Sequence, residues 1–390
     1  LSPEDVDQLT GQTSLFGNIN LSSNQQQSNQ QQLPNLPQSP TTEEQHAAQP
    51  AAFGLNPSQL RAATSQAATI AVIAGPGCGK TRTLVHRIAW LLEQGIAPQT
   101  ITAVTFTNKA GRELRQRLNR FVGTAADQLH IGTFHSLSLE IANRAGCKVR
   151  LLDDVTSVEL ARQVLTTVGA SLSPKQLLAQ VSRCKNGVPR EKDDLELVEA
   201  YRCQQQLYNA WDFDDLLLFA LEMANKPEED HAAFRYLLVD EFQDIDDLQY
   251  QLIQAWSQNG TSLFVIGDPD QSIYGFRGAD PQCFLRLKQD HPQIEQHTLT
   301  DNYRSTPQIL AAASRVLTPV GGALVAHGEE GMPVRLLRCN SPLQEGIAIA
   351  KEIGQALGGI DMLTAKKQGE YSLNDIAVLY RTHQQAELIS

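Results

Sequence analysis

Short apolar runs alternate with amphipathic stretches from about residue 53 onward. The runs are rich in β-branched residues, and each is followed by glycine or polar residues and then by a helical pattern. This alternation predicts a mostly parallel sheet with helices on both faces. In such a sheet, ligands bind beyond the carboxyl ends of the strands. The predicted strands are Ala68–Ala74, Ile101–Phe106, His130–Thr133, Tyr236–Val239 and Ser262–Ile266.

Two later segments depart from this alternation. Residues 138–232 are helical in pattern without a clear strand, which predicts a helical subdomain inserted into the sheet domain. After Asp301 a second strand–helix region begins, and its predicted strands are Val334–Leu337 and Asp375–Tyr380.

The first 50 residues differ in composition from the rest. Residues 20–50 are rich in Gln, Asn, Ser and Pro and hold little that could be buried, which predicts a disordered linker. Residues 1–19 are either the tail of an upstream domain or an extension without a role. The chain begins with Leu1 rather than Met, which suggests that it is cut from something longer.

Composition and charge narrow the class of protein. A chain of 390 residues with 41% hydrophobic and 19% charged residues is neither collagen-like nor wholly disordered, and its length suggests two or three domains. The net charge of −11 argues against a generally basic nucleic-acid binder, so any DNA contact must use a local groove. No apolar run approaches the ~20 residues that cross a bilayer. The six cysteines lie far apart, as expected of reduced thiols in a cytoplasmic protein.

A phosphate-binding loop follows the first predicted strand. The run from Ala74 to Thr81 (AGPGCGKT) has the P-loop spacing, with Ala74 at the first glycine position. Small residues let backbone N–H groups surround the β-phosphate, and the N-terminus of the following helix adds a positive dipole end. Lys80 would reach the β- and γ-phosphates, and the Thr81 hydroxyl would ligate Mg²⁺. The alternative is a glycine-rich turn that only begins a helix.

Two acids follow the predicted strand Tyr236–Val239. Asp240 and Glu241 at the end of an apolar strand are costly unless a positive group lies nearby, and a Mg²⁺–nucleotide supplies one. Asp240 would hold the metal through water, and Glu241 would orient and deprotonate the attacking water. The alternative is a helix N-cap, a position that acids favour.

Seven segments carry chemistry-bearing residues in a fixed order over nearly the whole of residues 53–390. They are Leu55–Gln59, Ala74–Thr81, Phe106–Ala110, Gly132–Ser136, Val239–Asp244, Gly267–Asp280 and Asn302–Thr306. In this order they resemble the Q motif and motifs I, Ia, Ib, II, III and IV of the UvrD/Rep/PcrA-like DNA helicases of superfamily 1A. A lone phosphate loop does not identify this family, whereas the ordered set does.

The resemblance implies an α/β fold of the RecA-like P-loop NTPase type, with a parallel sheet, a helical inserted subdomain and part of a second RecA-like domain. ATP with Mg²⁺ would lie between the two RecA-like domains, and single-stranded DNA would cross their top. The implied organisation is a linker at 1–52, domain 1A at 53–133 and 234–300, subdomain 1B at 134–233 and a partial domain 2A at 301–390.

The resemblance also implies roles on the nucleotide side. Gln59 would contact adenine, Tyr303 would stack on the base, and Arg82 would lie near the nucleotide. Gln271 would sense the γ-phosphate, and Arg304 would act as an arginine finger. The implied catalytic set is Lys80, Asp240, Glu241, Gln271 and Arg304, with Thr81 and Asp240 at the metal. The implied loop residues around the nucleotide are Ala74, Gly75, Pro76, Gly77, Cys78, Gly79, Lys80 and Thr81.

On the DNA side, three aromatic residues would stack on bases with little sequence preference. They are Phe106, Tyr274 and Phe276. Polar and basic residues would grip the backbone or bases. They are Thr107, Asn108, Lys109, His135 and Arg277. Core packing is the alternative for the aromatic residues and for His135, and we interpret the acidic stretch Asp212–Asp215 as a helix start.

Two departures from the family pattern stand out. Phe276 replaces the usual bulky indole of motif III. Motifs V and VI and subdomain 2B, as the family has them, would lie beyond residue 390.

These observations predict a DNA-dependent ATPase that moves along single-stranded DNA and unwinds duplex at single-strand/duplex junctions, in repair, replication or recombination. The resemblance alone implies 3′→5′ polarity. One alternative is a phosphate-loop kinase or switch GTPase. Another is a nucleotide- and DNA-binding fragment without independent unwinding. A third is the helicase part of a larger nuclease-type enzyme, since the Gln-rich segment suggests a fused upstream domain.

Overall fold

The structure is a computed structural model that describes residues 54–148, 150–187, 192–226, 232–317, 320–358 and 371–387. The predicted linker at 1–52 lies outside the described residues. Contacts divide the chain into two units, the first ending at Glu330 and the second beginning at Gly331. The strands are β1 (Thr69–Ala74), β2 (Ile101–Val104), β3 (His130–Gly132), β4 (Arg150–Leu151), β5 (Ala210–Trp211), β6 (Tyr236–Val239), β7 (Ser262–Gly267), β8 (Glu295–Leu299), β9 (Asp301–Asn302) and β10 (Val325–Ala326).

Most helices of the described residues lie between these strands, while the first precedes them and the last two follow them. They are α1 (Pro57–Thr64), α2 (Lys80–Glu93), α3 (Asn108–Val122), α4 (Phe134–Arg144), α5 (Asp154–Val168), α6 (Pro174–Lys185), α7 (Lys192–Leu207), α8 (Phe213–Ala224), α9 (Asp247–Ser257), α10 (Cys283–Asp290), α11 (Pro307–Ala313), α12 (Pro342–Ala356) and α13 (His383–Ala386).

A six-stranded sheet forms the centre of the first unit, in the order β3-β2-β6-β7-β1-β8. Every neighbouring pair is parallel, which confirms the predicted α/β class. All five predicted strands are present, although β2 ends at Val104 rather than Phe106. The edge strand β8 was not predicted, because its sequence EQHTL is polar and its first two residues are exposed.

Both faces of the sheet are covered, so its strands are apolar on both sides. Ile70 and Val72 of β1 pack into a core with helices α1, α2 and α3. Ala71, between them, packs into the opposite core with α4, α8, α9 and α10. This two-sided burial explains the continuous apolar runs.

The helical segment has a core of its own, built from α5, α6 and α7 around the buried residues Leu160, Leu177 and Tyr201. Its predicted lack of strands is wrong, because β4 and β5 pair in parallel there. Two-residue strands carry no periodic signal and could not be read from the pattern. The boundaries predicted for domains 1A, 1B and 2A stay predictions.

The second unit contains α12 and α13. The two predicted strands, Val334–Leu337 and Asp375–Tyr380, are not strands in the structure. Their β-branched residues favour extended backbone, but the described residues give them no ladder partner, and no described side chain of this unit is buried.

Candidate nucleotide and DNA site

The carboxyl ends of all six strands lie at one edge of the sheet, because every pair is parallel. The phosphate loop follows β1, and Asp268 follows β7 beside it. Asp240 follows β6, one strand further along. The topology therefore brings motifs I, II and III together, as expected for ligand sites in doubly wound sheets.

The phosphate loop turns sharply between β1 and α2. Gly77 and Gly79 have φ angles of +70° and +84°, which favour glycine over residues with a Cβ atom. A Cβ on Gly77 would lie 2.7 Å from the Asn302 amide nitrogen, and one on Gly79 would lie 2.6 Å from the Gln59 amide nitrogen. The Lys80 ammonium donates to the Ala74 carbonyl at 3.4 Å, across the mouth of the loop. Thr81 is the second residue of α2, at its positive dipole end.

The paired acids of motif II lie in a buried, acid-rich environment. Burial raises the pKa of Asp240 to about 7, and the charge of Glu241 adds to the rise, while Lys80 opposes it. Burial and Glu241 likewise raise the pKa of Asp244 to about 6. Lys80 alone cannot neutralise the three carboxyls of Asp240, Glu241 and Asp244, so the site favours an added cation.

The donor set fits Mg²⁺, which prefers hard oxygen ligands and is commonly held by one or two carboxylates plus substrate phosphates. Asp240 and the Thr81 hydroxyl are such donors, and burial together with the charge of Glu241 raises the pKa of Asp240, an effect that a bound cation would oppose. Among the described residues, no group of three or more metal-ligating side chains occurs. An ion here would therefore depend on nucleotide oxygens for part of its coordination.

Glu241 has an unusual backbone. Its φ of +48° lies in the left-handed region, which a non-glycine residue rarely adopts. The backbone N–H of Glu241 donates to the Asp240 carboxylate at 3.0 Å, so the Glu241 backbone restrains the Asp240 side chain. The strain is typical of positions where the fold must aim one side chain.

Gln243 links motif II to motif III, although the sequence analysis gave it no role. Its buried amide donates to the Glu241 carboxylate at 2.9 Å and accepts from the Asp268 N–H at 2.9 Å. A Cβ on Gly267 would lie 2.4 Å from its amide oxygen, so no side chain fits there. The Asp268 carboxylate in turn accepts from the Gln271 amide. One hydrogen-bonded chain thus runs from Glu241 to Gln271.

The Q-motif residue Gln59 is buried, and both ends of its amide are engaged. Its nitrogen donates to the Cys78 carbonyl at 2.9 Å, and its oxygen accepts from the Asn56 N–H at 3.2 Å. Gln59 therefore ties the cap of α1 to the phosphate loop, and its adenine contact stays a prediction. Arg82 is exposed and donates to the Gly54 carbonyl at 2.8 Å.

Motif IV packs directly on the phosphate loop within the first unit. The fully buried Asn302 donates to the Pro76 carbonyl, and the Tyr303 N–H donates to the Gly77 carbonyl at 3.1 Å. The Asn302 oxygen also accepts from the backbone N–H of Arg304 at 2.9 Å. Arg304 is exposed and lies beside the loop, because a Cβ on Gly77 would be 2.7 Å from the Arg304 Cβ. Asn302 was not among the predicted site residues, and its only signal in the sequence was its place in the motif.

The three predicted stacking residues lie together. The rings of Phe106 and Tyr274 have centroids 5.0 Å apart, and those of Tyr274 and Phe276 are 6.0 Å apart. Phe276 is 81% exposed, which argues against the core-packing alternative for this residue. The row extends from the end of β2 to the turn after β7.

The polar residues predicted to contact DNA lie in different environments, some at the start of α3 and one packed against an aromatic ring. Thr107 caps α3 by accepting from the Ala110 N–H at 3.1 Å, Asn108 begins that helix, and Lys109 is exposed. His135 packs edge-on against Phe213 at 5.2 Å, and burial lowers the pKa of His135 to about 4, so its imidazole is neutral near pH 7.

Two further sequence predictions concern Arg277 and the acidic stretch Asp212–Asp215. Arg277 lies in a short turn at 275–277, and its side chain is outside what the structure describes. Asp212 caps α8 through the Asp215 N–H at 2.9 Å, which confirms the interpretation of this stretch as a helix start.

Comparison with known proteins agrees with this arrangement. Residues 55–292 match the family model described as UvrD/REP helicase N-terminal domain, and residues 297–390 match that of the UvrD-like helicase C-terminal domain. The chain is 32% identical to the ATP-dependent DNA helicase PcrA of Bacillus subtilis, over 86% of this chain and 48% of the relative. The PcrA proteins of Leuconostoc citreum and Staphylococcus epidermidis are 32% and 30% identical over 86% of this chain. The chain spans about half the length of these relatives.

Proposed function

This chain belongs to the UvrD/REP helicase N-terminal domain family, and we propose that it is the ATP-driven motor part of a DNA helicase that acts on single-stranded DNA. The observation that carries the proposal is the gathering of Lys80, Asp240 and Glu241 at one edge of the sheet, beyond the ends of β1 and β6, which β7 separates; there the Lys80 charge acts on the Asp240 carboxyl. The phosphate oxygens of a bound triphosphate would pair with Lys80, and its metal ion would offset the negative charges of Asp240 and Glu241.

In this proposal the phosphate loop binds the β-phosphate through backbone N–H groups, and Lys80 contacts the β- and γ-phosphates. Asp240 and Thr81 would hold Mg²⁺, which when bound neutralises charge on the transferring phosphoryl group. Cys78 contributes only backbone here, since burial raises the pKa of its thiol to about 11.

Glu241 would orient the attacking water and accept its proton. The Gln243 amide, at 2.9 Å, restrains one Glu241 oxygen and leaves the other for water. Gln271, at the far end of the same hydrogen-bonded chain, would report the state of the γ-phosphate to motif III. Arg304 begins beside the loop and would reach the γ-phosphate as a charged fork.

The DNA proposal depends on the row of Phe106, Tyr274 and Phe276. Motif III holds both Gln271 and the last two rings, so a shift of Gln271 on hydrolysis is coupled to the stacking surface through a few residues of chain. We propose 3′→5′ movement and action at single-strand/duplex junctions, on the resemblance to superfamily 1A alone. A role in repair, replication or recombination has the same basis.

A second candidate is a nucleotide- and DNA-binding part that does not unwind by itself. It is favoured by the second unit, in which no described side chain is buried. The test is strand separation by residues 1–390 alone. Binding of ATP and single-stranded DNA without unwinding supports this candidate, and robust unwinding refutes it.

The motor proposal is tested by making Lys80→Ala and Glu241→Gln in the full-length protein. ATP turnover of each variant is measured with and without single-stranded DNA. We expect both variants to lose stimulated turnover, by at least about 100-fold for the Glu241 change. Lys288→Ala, an exposed lysine on α10, is the matched control. Unchanged turnover in both site variants would refute the proposal. Preference for GTP without any response to DNA would instead favour a switch GTPase.

A further inference from the structure

Tyr303, the residue proposed to stack on the nucleobase, has one face of its ring covered by a histidine. The rings of Tyr303 and His327 have centroids 4.9 Å apart and planes 22° apart, which is a stacked arrangement. Tyr303 is nevertheless 51% exposed, so much of its surface remains accessible to a ligand. His327 lies in none of the helicase motifs.

His327 is held in place from two directions. Its N–H donates to the Asn302 carbonyl at 2.8 Å, which extends the parallel pairing of β9 with β10. Its Nε2 lies 2.6 Å from one oxygen of the Asp301 carboxylate. Because Tyr303 directly follows β9 and His327 directly follows β10, the ladder fixes the two rings side by side.

The same carboxylate is linked to the tyrosine hydroxyl through the Asn56 amide. The other Asp301 oxygen accepts from the Asn56 amide at 3.0 Å, and that amide is 2.9 Å from the Tyr303 hydroxyl oxygen. Asp301 therefore joins the backing ring, the Q-motif cap and the tyrosine in one network. Both the plane of the Tyr303 ring and its hydroxyl are fixed before a base arrives.

We propose that His327 is a positioning residue for the nucleobase, which holds the Tyr303 ring in the orientation that stacks on an aromatic base. This inference rests on the proposed function, since it deepens the same nucleotide site. Preorganisation lowers the entropic cost of ordering a side chain on binding, and aromatic pairs gain further from offset stacking. The ligand class is a purine nucleoside triphosphate, and the effect acts on the base rather than on the phosphates.

The experiment is calorimetric titration of residues 1–390 with Mg-ATP and, separately, with Mg-tripolyphosphate, which has no base. His327→Ala should weaken ATP binding about 3- to 10-fold and leave tripolyphosphate binding within about twofold. His327→Phe keeps a ring behind Tyr303 and should retain ATP binding within about twofold. Asp301→Asn should give an intermediate loss.

Matched controls separate this effect from general damage. His297→Ala removes another histidine–carboxylate pair, with Glu295 at 2.9 Å on β8, and should leave both ligands unaffected. Thermal unfolding of each variant checks the fold, and His327→Phe keeps the test valid if His327→Ala is unstable.

The possible outcomes are distinct. Equal weakening of ATP and tripolyphosphate by His327→Ala, or an unchanged ATP affinity while Tyr303→Ala weakens it, overturns the inference and leaves the proposed function standing. If neither Tyr303→Ala nor Lys80→Ala alters ATP binding, the proposed function itself fails.

Discussion

Replacing Gln243 by methionine isolates the link between the proposed base and motif III. Methionine has a similar length and volume but cannot donate to the Glu241 carboxylate or accept from the Asp268 N–H. Asp268 is 2% exposed, so water cannot readily replace the lost partner of its N–H.

The magnitude follows from these contacts. An unpaired buried N–H costs about 1–3 kcal/mol, and a hydrogen bond to a charged group contributes about 1.5–3 kcal/mol. The two losses share one side chain and Glu241 is partly solvated, so we expect the free energy of unfolding to fall by about 2–4 kcal/mol. Glu241 loses its restraint as well, so kcat for DNA-stimulated ATP hydrolysis should fall about 10- to 100-fold while KM for ATP stays within about twofold.

Denaturant titration and steady-state ATP turnover measure the two effects. Gln251→Met is the matched control, because the Gln251 amide donates to Asp247 at 2.7 Å on the exposed side of α9, and its loss should change stability by less than about 0.5 kcal/mol. An unfolding free energy equal to that of the unsubstituted protein, or a raised KM with unchanged kcat, would refute the reasoning.

Three further predictions concern the loop, the DNA surface and the helical subdomain. Gly77→Ala should lower the unfolding free energy by about 1–2 kcal/mol more than Gly146→Ala. The two φ angles are similar, +70° and +74°, but only the Cβ at position 77 would lie against other atoms, those of Asn302 and Arg304 at 2.7 Å; denaturant titration of the pair measures the difference. Phe276→Ala should weaken single-stranded DNA binding about tenfold and Phe276→Trp should strengthen it, as followed by fluorescence anisotropy; equal affinities would exclude stacking there. Burial raises the pKa of Asp214 to about 6 from its ordinary 3.8, so the folded state binds the proton more tightly and stability falls as pH rises through this window, by at most about 3 kcal/mol; denaturation of Asp214→Asn at about pH 4 and about pH 7 should lack that fall.

The sequence was sufficient to predict the strands that are buried on both faces of the sheet. The runs that form β1, β6 and β7 are apolar because both faces of the sheet are covered. Such continuous apolar runs can be predicted as strands from the sequence alone. The edge strand β8 and the two-residue β4 could not be read, since an exposed or very short strand has no characteristic composition. Val334–Leu337 shows the converse, because β propensity does not give a strand where the described part of the chain offers no ladder partner.

The sequence predicted the candidate residues of the site, but it could not predict the contacts between them. Motif spacing singled out Lys80 and Asp240 as candidates, and the sheet topology brings the ends of their strands to one edge. Nothing in the spacing shows that the Gln243 amide reaches Glu241, or that His327 lies behind Tyr303. Such contacts depend on strand order and register, which join residues distant in the chain.

The left-handed backbone at Glu241 makes stability and the proposed catalytic role oppose each other at one residue. Any residue with a Cβ bears the cost of that conformation, and glycine would relieve it by about 1 kcal/mol while removing the proposed proton acceptor. A library screened only for heat resistance would therefore drift toward glycine at this position and lose ATP turnover.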